Sequence, residues 1–166
     1  MTRPVVIALA AAGSLAAAAS AAAGASTALA AATPLVAANL SGPGARALAR
    51  APKQVVYTED GSGFLAGRGR SARSPGRLRW LATTSSQARA SGADWFDNCR
   101  PSCATGTFRA YPATLRLYRP AVLGGHLVFT RMTVTYTGAR PPYPAAGDGS
   151  WTASLRYSAH LYFWSR

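Results

Sequence analysis

One stretch constrains the fold of this chain more than any other. From Trp151 onward the apolar residues Trp151, Ala153, Leu155, Tyr157, Ala159, Leu161 and Phe163 alternate with Thr152, Ser154, Arg156, Ser158 and His160. A period of two is that of an amphipathic strand, with one face buried and one wet. On a helix the same positions would scatter around the axis. The stretch therefore reads as a strand, and a strand needs a sheet to join.

The rest of the second half points the same way. Tyr111 to Arg119 is strand-like and is expected to end at Pro120, and Gly124-Gly125 reads as a turn. His126 to Thr137 is rich in Val, Thr, Phe and Tyr, which suit a pleated, half-buried surface. Pro141, Pro142 and Pro144 around Tyr143 make a stiff connection, and Gly147-Asp148-Gly149 turns the chain. The first half is less regular. Val55-Val56-Tyr57 suits a short strand closed by Glu59-Asp60-Gly61, and Phe64 to Ala66 begins another. Gly67 to Gly76 reads as a loop, Leu78 and Trp80 alternate with Arg77 and Arg79, and Thr83 to Ala90 fits a helical turn or a strand. Short strands punctuated by Gly and Pro, with no long helical period and no repeat, predict an all-β fold, a small antiparallel β-sandwich or barrel. Trp80, Leu115, Leu117, Val128, Val134, Tyr136, Trp151, Leu155, Tyr157 and Leu161 are expected to supply much of its core.

The N-terminal segment bears on location. Arg3 precedes the apolar run Val5 to Ala12, an Ala/Gly/Ser tract follows, and the next charged residue is Arg46. This is the build of a secretory signal peptide, with Ala28-Leu29-Ala30 as a small-residue cleavage site. There is no Cys near the cut to carry a lipid and no Arg-Arg pair for twin-arginine export. An uncleaved anchor is the alternative, although Ala is only weakly apolar and Ser, Thr and Gly dilute the tract further. The expected organisation is a signal peptide at 1–30, a flexible basic lead-in at 31–53 and a single secreted β domain at 54–166. The expected location is extracellular or cell-wall associated, with no stable membrane span once the signal is removed.

Charge narrows the partner. Eighteen basic residues face five acidic ones, a net of +13 that falls to +12 when Arg3 leaves with the signal segment, and Lys53 is the only Lys. Heavy Ala, Gly, Pro and Arg usage fits a GC-rich genome, which explains Arg in place of Lys but not the scarcity of carboxylates. Arg68, Arg70, Arg73, Arg77 and Arg79 form a cluster with no acid among them. Guanidinium groups pair bidentately with phosphate and carboxylate. These five are the candidate polyanion-binding residues, and an anionic cell-wall polymer or an extracellular protein is the expected partner. Nucleic acid would bind at low salt, but it is not expected as the partner of an exported protein in vivo. A solvated loop whose arginines only reflect genome bias is the competing reading.

Cys99-Arg100-Pro101-Ser102-Cys103 is the one local motif with definite chemistry. In an exported chain the two cysteines are expected to form a disulfide. It is either a staple within the scaffold or a frame that presents a loop with Arg100 at its tip. Pairing the cysteines with His126 and His160 in a zinc site is disfavoured because the histidines lie far apart in sequence. No metal or other cofactor is expected.

The residues Leu78-Arg79-Trp80, Gly92, Asn98 to Gly106, Tyr111 to Leu115, Val128 to Arg131 and Val134-Thr135-Tyr136 resemble a family of small secreted actinobacterial proteins with a C-x-P-x-C-A-x-G core. The resemblance covers less than half of the chain. It implies export and a common small domain, and no reaction. The chain departs from that pattern at Thr83, where a second Trp is expected. The segment Gly67 to Arg77 stands as an addition.

No G-x-S-x-G elbow, P-loop or H-E-x-x-H motif is present. Asp94 and Asp97 near Trp95 have two readings: a pair flanking a sugar as general acid and base, or carboxylates bonded to turn amides before Cys99. Glu59 and Asp60 are expected to be solvated in their turn, and His126 and His160 to be exposed. The expected function is a non-enzymatic extracellular or cell-envelope binding module. The alternative is a small secreted inhibitor or effector that presents the Cys99–Cys103 loop.

Overall fold

In the computed structural model the described residues are 32–38, 47–142 and 149–166. The expected signal peptide, the junction at 39–46 and most of the stiff connection, from Tyr143 to Asp148, lie outside them. The described chain is all-β. Its strands are β1 (Val36–Ala37), β2 (Leu48–Ala49), β3 (Gln54–Val56), β4 (Gly63–Ser71), β5 (Ser74–Gly76), β6 (Arg79–Thr83), β7 (Gln87–Asp97), β8 (Phe108–Leu123), β9 (His126–Tyr136), β10 (Ser150–Ser158) and β11 (Leu161–Ser165).

The main sheet runs β11-β10-β9-β8-β7-β4-β3, with β5 added to β4 and β6 to β7, and each of these strand pairs is antiparallel. The long strands β7, β8 and β9 form its centre, from Gln87↔Tyr118 to Asp97↔Phe108 and from Ala113↔Tyr136 to Leu123↔His126. Gly124 and Gly125 connect β8 to β9 with φ of 57° and 80°, the left-handed pair that a two-residue hairpin turn requires. β8 does not end at Pro120. It continues to Leu123, and Pro120 lies beyond its last pair with β7, where an edge strand tolerates a missing N–H.

The C-terminal alternation holds only in its first half. Trp151, Ala153 and Leu155 are buried, but Ala159 and His160 take φ of 48° and 64° and turn the chain into β11. Leu161, expected in the core, is therefore 40% exposed, and Tyr162 and Trp164 are buried instead. Of the other expected core residues, Leu115, Leu117, Val128 and Val134 are buried, and Trp80, Tyr136 and Tyr157 are half-buried.

The segment expected as a flexible lead-in is partly built into the fold. β1 pairs with β2 through Val36↔Ala49 and Ala37↔Leu48. Leu35 N–H donates to Leu127 O at 2.9 Å and Phe129 N–H to Leu35 O at 3.1 Å, so this segment lies against β9. At its other end Val56 N–H donates to Ala38 O at 2.9 Å. Residues 35–38 thus bridge β9 and β3, and they satisfy backbone groups that a curled sheet would otherwise leave bare. Val36, Ala37 and Ala47 join the main core with Val55, Leu65, Phe129 and Met132.

Candidate functional site

The two aspartates proposed as a pair stand on one strand, β7, three positions apart. Successive side chains of a strand alternate faces, so they point to opposite sides of the sheet and cannot flank one ligand. Asp94 turns into the core and is fully buried. Tyr57 donates its hydroxyl to Oδ1 at 2.7 Å, Tyr136 donates to Oδ2 at 2.6 Å, and Trp151 Nε1 donates to the Tyr136 oxygen at 3.0 Å. Burial pushes the Asp94 carboxyl up from its usual range, against the two tyrosine hydrogen bonds and the Arg166 charge. Burial, then the Asp94 charge, pushes both tyrosine hydroxyls up as well. Arg166 stacks over Trp151, with Cζ 4.0 Å from the ring centroid. This cluster is an internal brace joining the residue that follows β3 to β7, β9 and β10.

Asp97 does what short polar residues do before a turn. Its Oδ1 accepts the Cys99 N–H at 2.9 Å. Asn98 Oδ1 accepts from Arg100 N–H at 3.2 Å and from Thr107 N–H at 3.0 Å. The Cys99–Cys103 disulfide closes the same loop. Gly106 lies so close to the Asp97 carboxylate that a Cβ there would overlap it.

On the outward face of the sheet, β4 and β7 bring Phe64 opposite Trp95. Their rings stack at 8° with centroids 6.1 Å apart, and Phe108 lies 5.8 Å from Phe64. Ala66 and Ala93 complete this second apolar cluster. Trp95 Nε1 donates to Gly67 O at 3.1 Å, tying the ring to the segment that carries the arginines. That segment is not a loop. It is the β4–β5 hairpin, paired at Gly67↔Gly76 and Ser71↔Ser74. At Gly67 the Arg77 backbone approaches so closely that any side chain would collide with it.

Between this hairpin and the disulfide loop lies a cleft of about 520 Å³. Phe64, Trp95 and Phe108 line it together with Arg70, Arg73, Asp97 and the run Cys103-Ala104. The structure thus brings Arg70 and Arg73 together with Cys103. Arg68 and Arg77 are exposed on or beside the hairpin, and Arg79 is exposed on β6 opposite Ser91. Arg100 stands elsewhere, in a groove of about 460 Å³ with Phe96, Asn98, Thr107, Arg109, Tyr111 and Pro142. His126 opens β9 and is half-buried, against the expectation of exposure. His160 is exposed in the β10–β11 turn, its Nδ1 3.4 Å from the Tyr157 hydroxyl.

Sequence reasoning missed Phe64, Trp95 and Phe108 as one floor, because their proximity comes from strand register and not from spacing. It also missed Arg89 and Arg116, which face each other across β7 and β8 and are both exposed. Charge is sorted by the fold. Asp94 and Asp97 are buried, whereas Glu59 and Asp60 remain in the exposed turn after β3, where hydrogen bonds from Ser62 hold the Asp60 carboxyl below its usual range. With two of five carboxylates hidden, the outer surface is more cationic than the composition alone implies. No protein-family model, curated protein or solved structure matches this chain.

Proposed function

We propose that this chain is a non-enzymatic, exported binding module for polyanions, acting outside the cell or at the cell envelope, and that its ligand enters the cleft between the β4–β5 hairpin and the Cys99–Cys103 loop. The observation that carries this reading is the placement of Arg70 and Arg73 beside an aromatic floor in a cleft of about 520 Å³. Binding sites commonly combine an apolar lining with a few placed polar groups. Guanidinium forks supply directional bonds to phosphate or carboxylate. The nearest carboxylate, Asp97, is already committed to the Cys99 amide.

The test is an equilibrium titration of oxidised protein with a soluble anionic cell-wall polymer, beside the variant Arg70→Gln/Arg73→Gln. Binding that weakens about tenfold or more in the variant supports the reading. Unchanged binding in the variant removes the cleft from it. A second reading keeps the exposed Arg100 in view, because its loop is held by the disulfide and by Asp97 and Asn98. A protein partner bound there would tolerate salt and be lost on Arg100→Ala.

A further inference from the structure

The outward face of the sheet continues away from the cleft. On β7 the outward positions run Trp95, Ala93, Ser91, Arg89; on β8 they run Ala110, Pro112, Thr114, Arg116, Tyr118. Trp95 lies opposite Ala110, Ser91 opposite Thr114, and Arg89 opposite Arg116. At about 3.3 Å per residue, Arg89 stands about 20 Å along the strand from the floor of the cleft.

Arg89 and Arg116 are an unusual pair. Like charges directly opposite on neighbouring strands are destabilising, and both side chains are exposed. The Arg116 guanidinium lies over the Tyr118 ring, 5.1 Å from its centroid, which limits where it can point. Arg131, the next cation across the face, donates to Ser154 Oγ at 2.6 Å. Around them are hydroxyls: Ser91, Thr114, Thr133 and Tyr118. The nearest carboxylate on this face of β7, Asp97, stands at the cleft end of the strand, about 26 Å along it from Arg89 at about 3.3 Å per residue, and accepts the Cys99 N–H. Asp94 turns inward, and Glu59 and Asp60 belong to the turn after β3, so none of these three stands beside Arg89 and Arg116.

We infer that the ligand is an acidic polysaccharide, one end of which sits in the cleft while the chain runs along the outer face of β7 and β8 to Arg89 and Arg116. This inference rests on the polyanion reading given above. A ligand acid placed between the two guanidiniums removes their mutual repulsion and gains two charge-assisted contacts. The hydroxyl row matches a ligand rich in hydroxyl groups. Phe64 and Trp95 are only 8% and 5% exposed, so they offer little ring face on which a nucleobase could stack, and recognition falls to the guanidiniums and hydroxyls.

Isothermal titration with oligogalacturonates, a dimer and a long oligomer, tests this on three proteins: the native chain, Arg89→Gln/Arg116→Gln and Arg70→Gln/Arg73→Gln. The long oligomer is expected to bind the native chain about tenfold more tightly than the dimer does. Arg89→Gln/Arg116→Gln abolishes that gain and leaves dimer binding unchanged, while Arg70→Gln/Arg73→Gln weakens both. Because the first variant relieves a like-charge pair, its melting temperature is expected to match or exceed the native value, which separates lost binding from lost fold. Equal affinity for dimer and long oligomer overturns the extended track. So does a long-oligomer affinity that Arg89→Gln/Arg116→Gln leaves unchanged. Tighter binding of a DNA duplex than of the long oligouronate at the same salt overturns the polysaccharide assignment and leaves the polyanion reading standing. Failure of every anion tested overturns both.

Discussion

At the scale of single residues, Asp94 and Asp97 show how little side-chain type says without register. Both are short acids near a turn, and the turn-amide role fits only Asp97. Asp94 instead takes hydroxyl bonds from Tyr57 and Tyr136, partners 37 and 42 positions away. No local pattern announces contacts at that range. Removing the carboxylate would leave two buried hydroxyls without it. Asp94→Ala is therefore expected to cost about 2–4 kcal/mol in denaturant unfolding, and Asp94→Asn less. The sign of the pH dependence follows from burial. The folded-state pKa of Asp94 lies above its unfolded value. The stability it contributes is full below the unfolded carboxylate range near about 3.9, and it is lost as pH rises through the folded pKa. The native chain is expected to lose stability through this window more than Asp94→Asn does, as read from urea midpoints on the acid side of neutrality. Tyr57 and Tyr136 are shifted in the same direction. Alkaline unfolding above about pH 10 is accordingly expected to weaken in Tyr57→Phe, once both midpoints are referenced to neutral pH.

At the scale of elements, the sequence was readable where turns use turn residues. Gly124-Gly125 marks its hairpin, and Gly124 is also needed there because a Cβ would strike the Tyr157 ring and the Tyr162 hydroxyl. The β10–β11 turn carries no such mark, since Ala159 and His160 adopt the left-handed backbone without Gly or Asn. The alternation runs through it unbroken, so one strand was expected where two exist. Left-handed backbone costs a non-glycine residue about 1–2 kcal/mol. Ala159→Asn/His160→Gly is expected to stabilise the domain by about 1 kcal/mol, and thermal melting checks it. The arginine segment hid its hairpin for the opposite reason: Gly, Ser and Pro suggested a loop. Pro75 instead sits in the three-residue β5, an added strand of the kind that accepts proline. The disulfide spans four positions, and by the chain-entropy model its removal costs about 2 kcal/mol.

At the scale of the whole molecule, the all-β class was legible from period and punctuation, and the closure was not. β1 and β2 are two residues each, too short to carry a period, and Ala-rich composition conceals that Ala37 and Ala47 are buried because small residues fit there. A chain starting at Gln54 therefore lacks the segment that bridges β9 and β3. It is expected to melt well below a chain starting at Ala31, and Val36→Asp, which places an unpaired charge in the core, to reproduce most of that loss. The same packing hides Asp94 and Asp97 and leaves the arginines of the β4–β5 hairpin and Arg89 and Arg116 outside, which is the basis for reading the molecule as a polyanion binder. The slope of log Kd against log salt for an anionic cell-wall polymer tests that claim most directly. The account predicts binding that falls steeply with salt in the native chain, with a shallower slope in Arg70→Gln/Arg73→Gln. Salt-independent binding, or none at low salt, would contradict it.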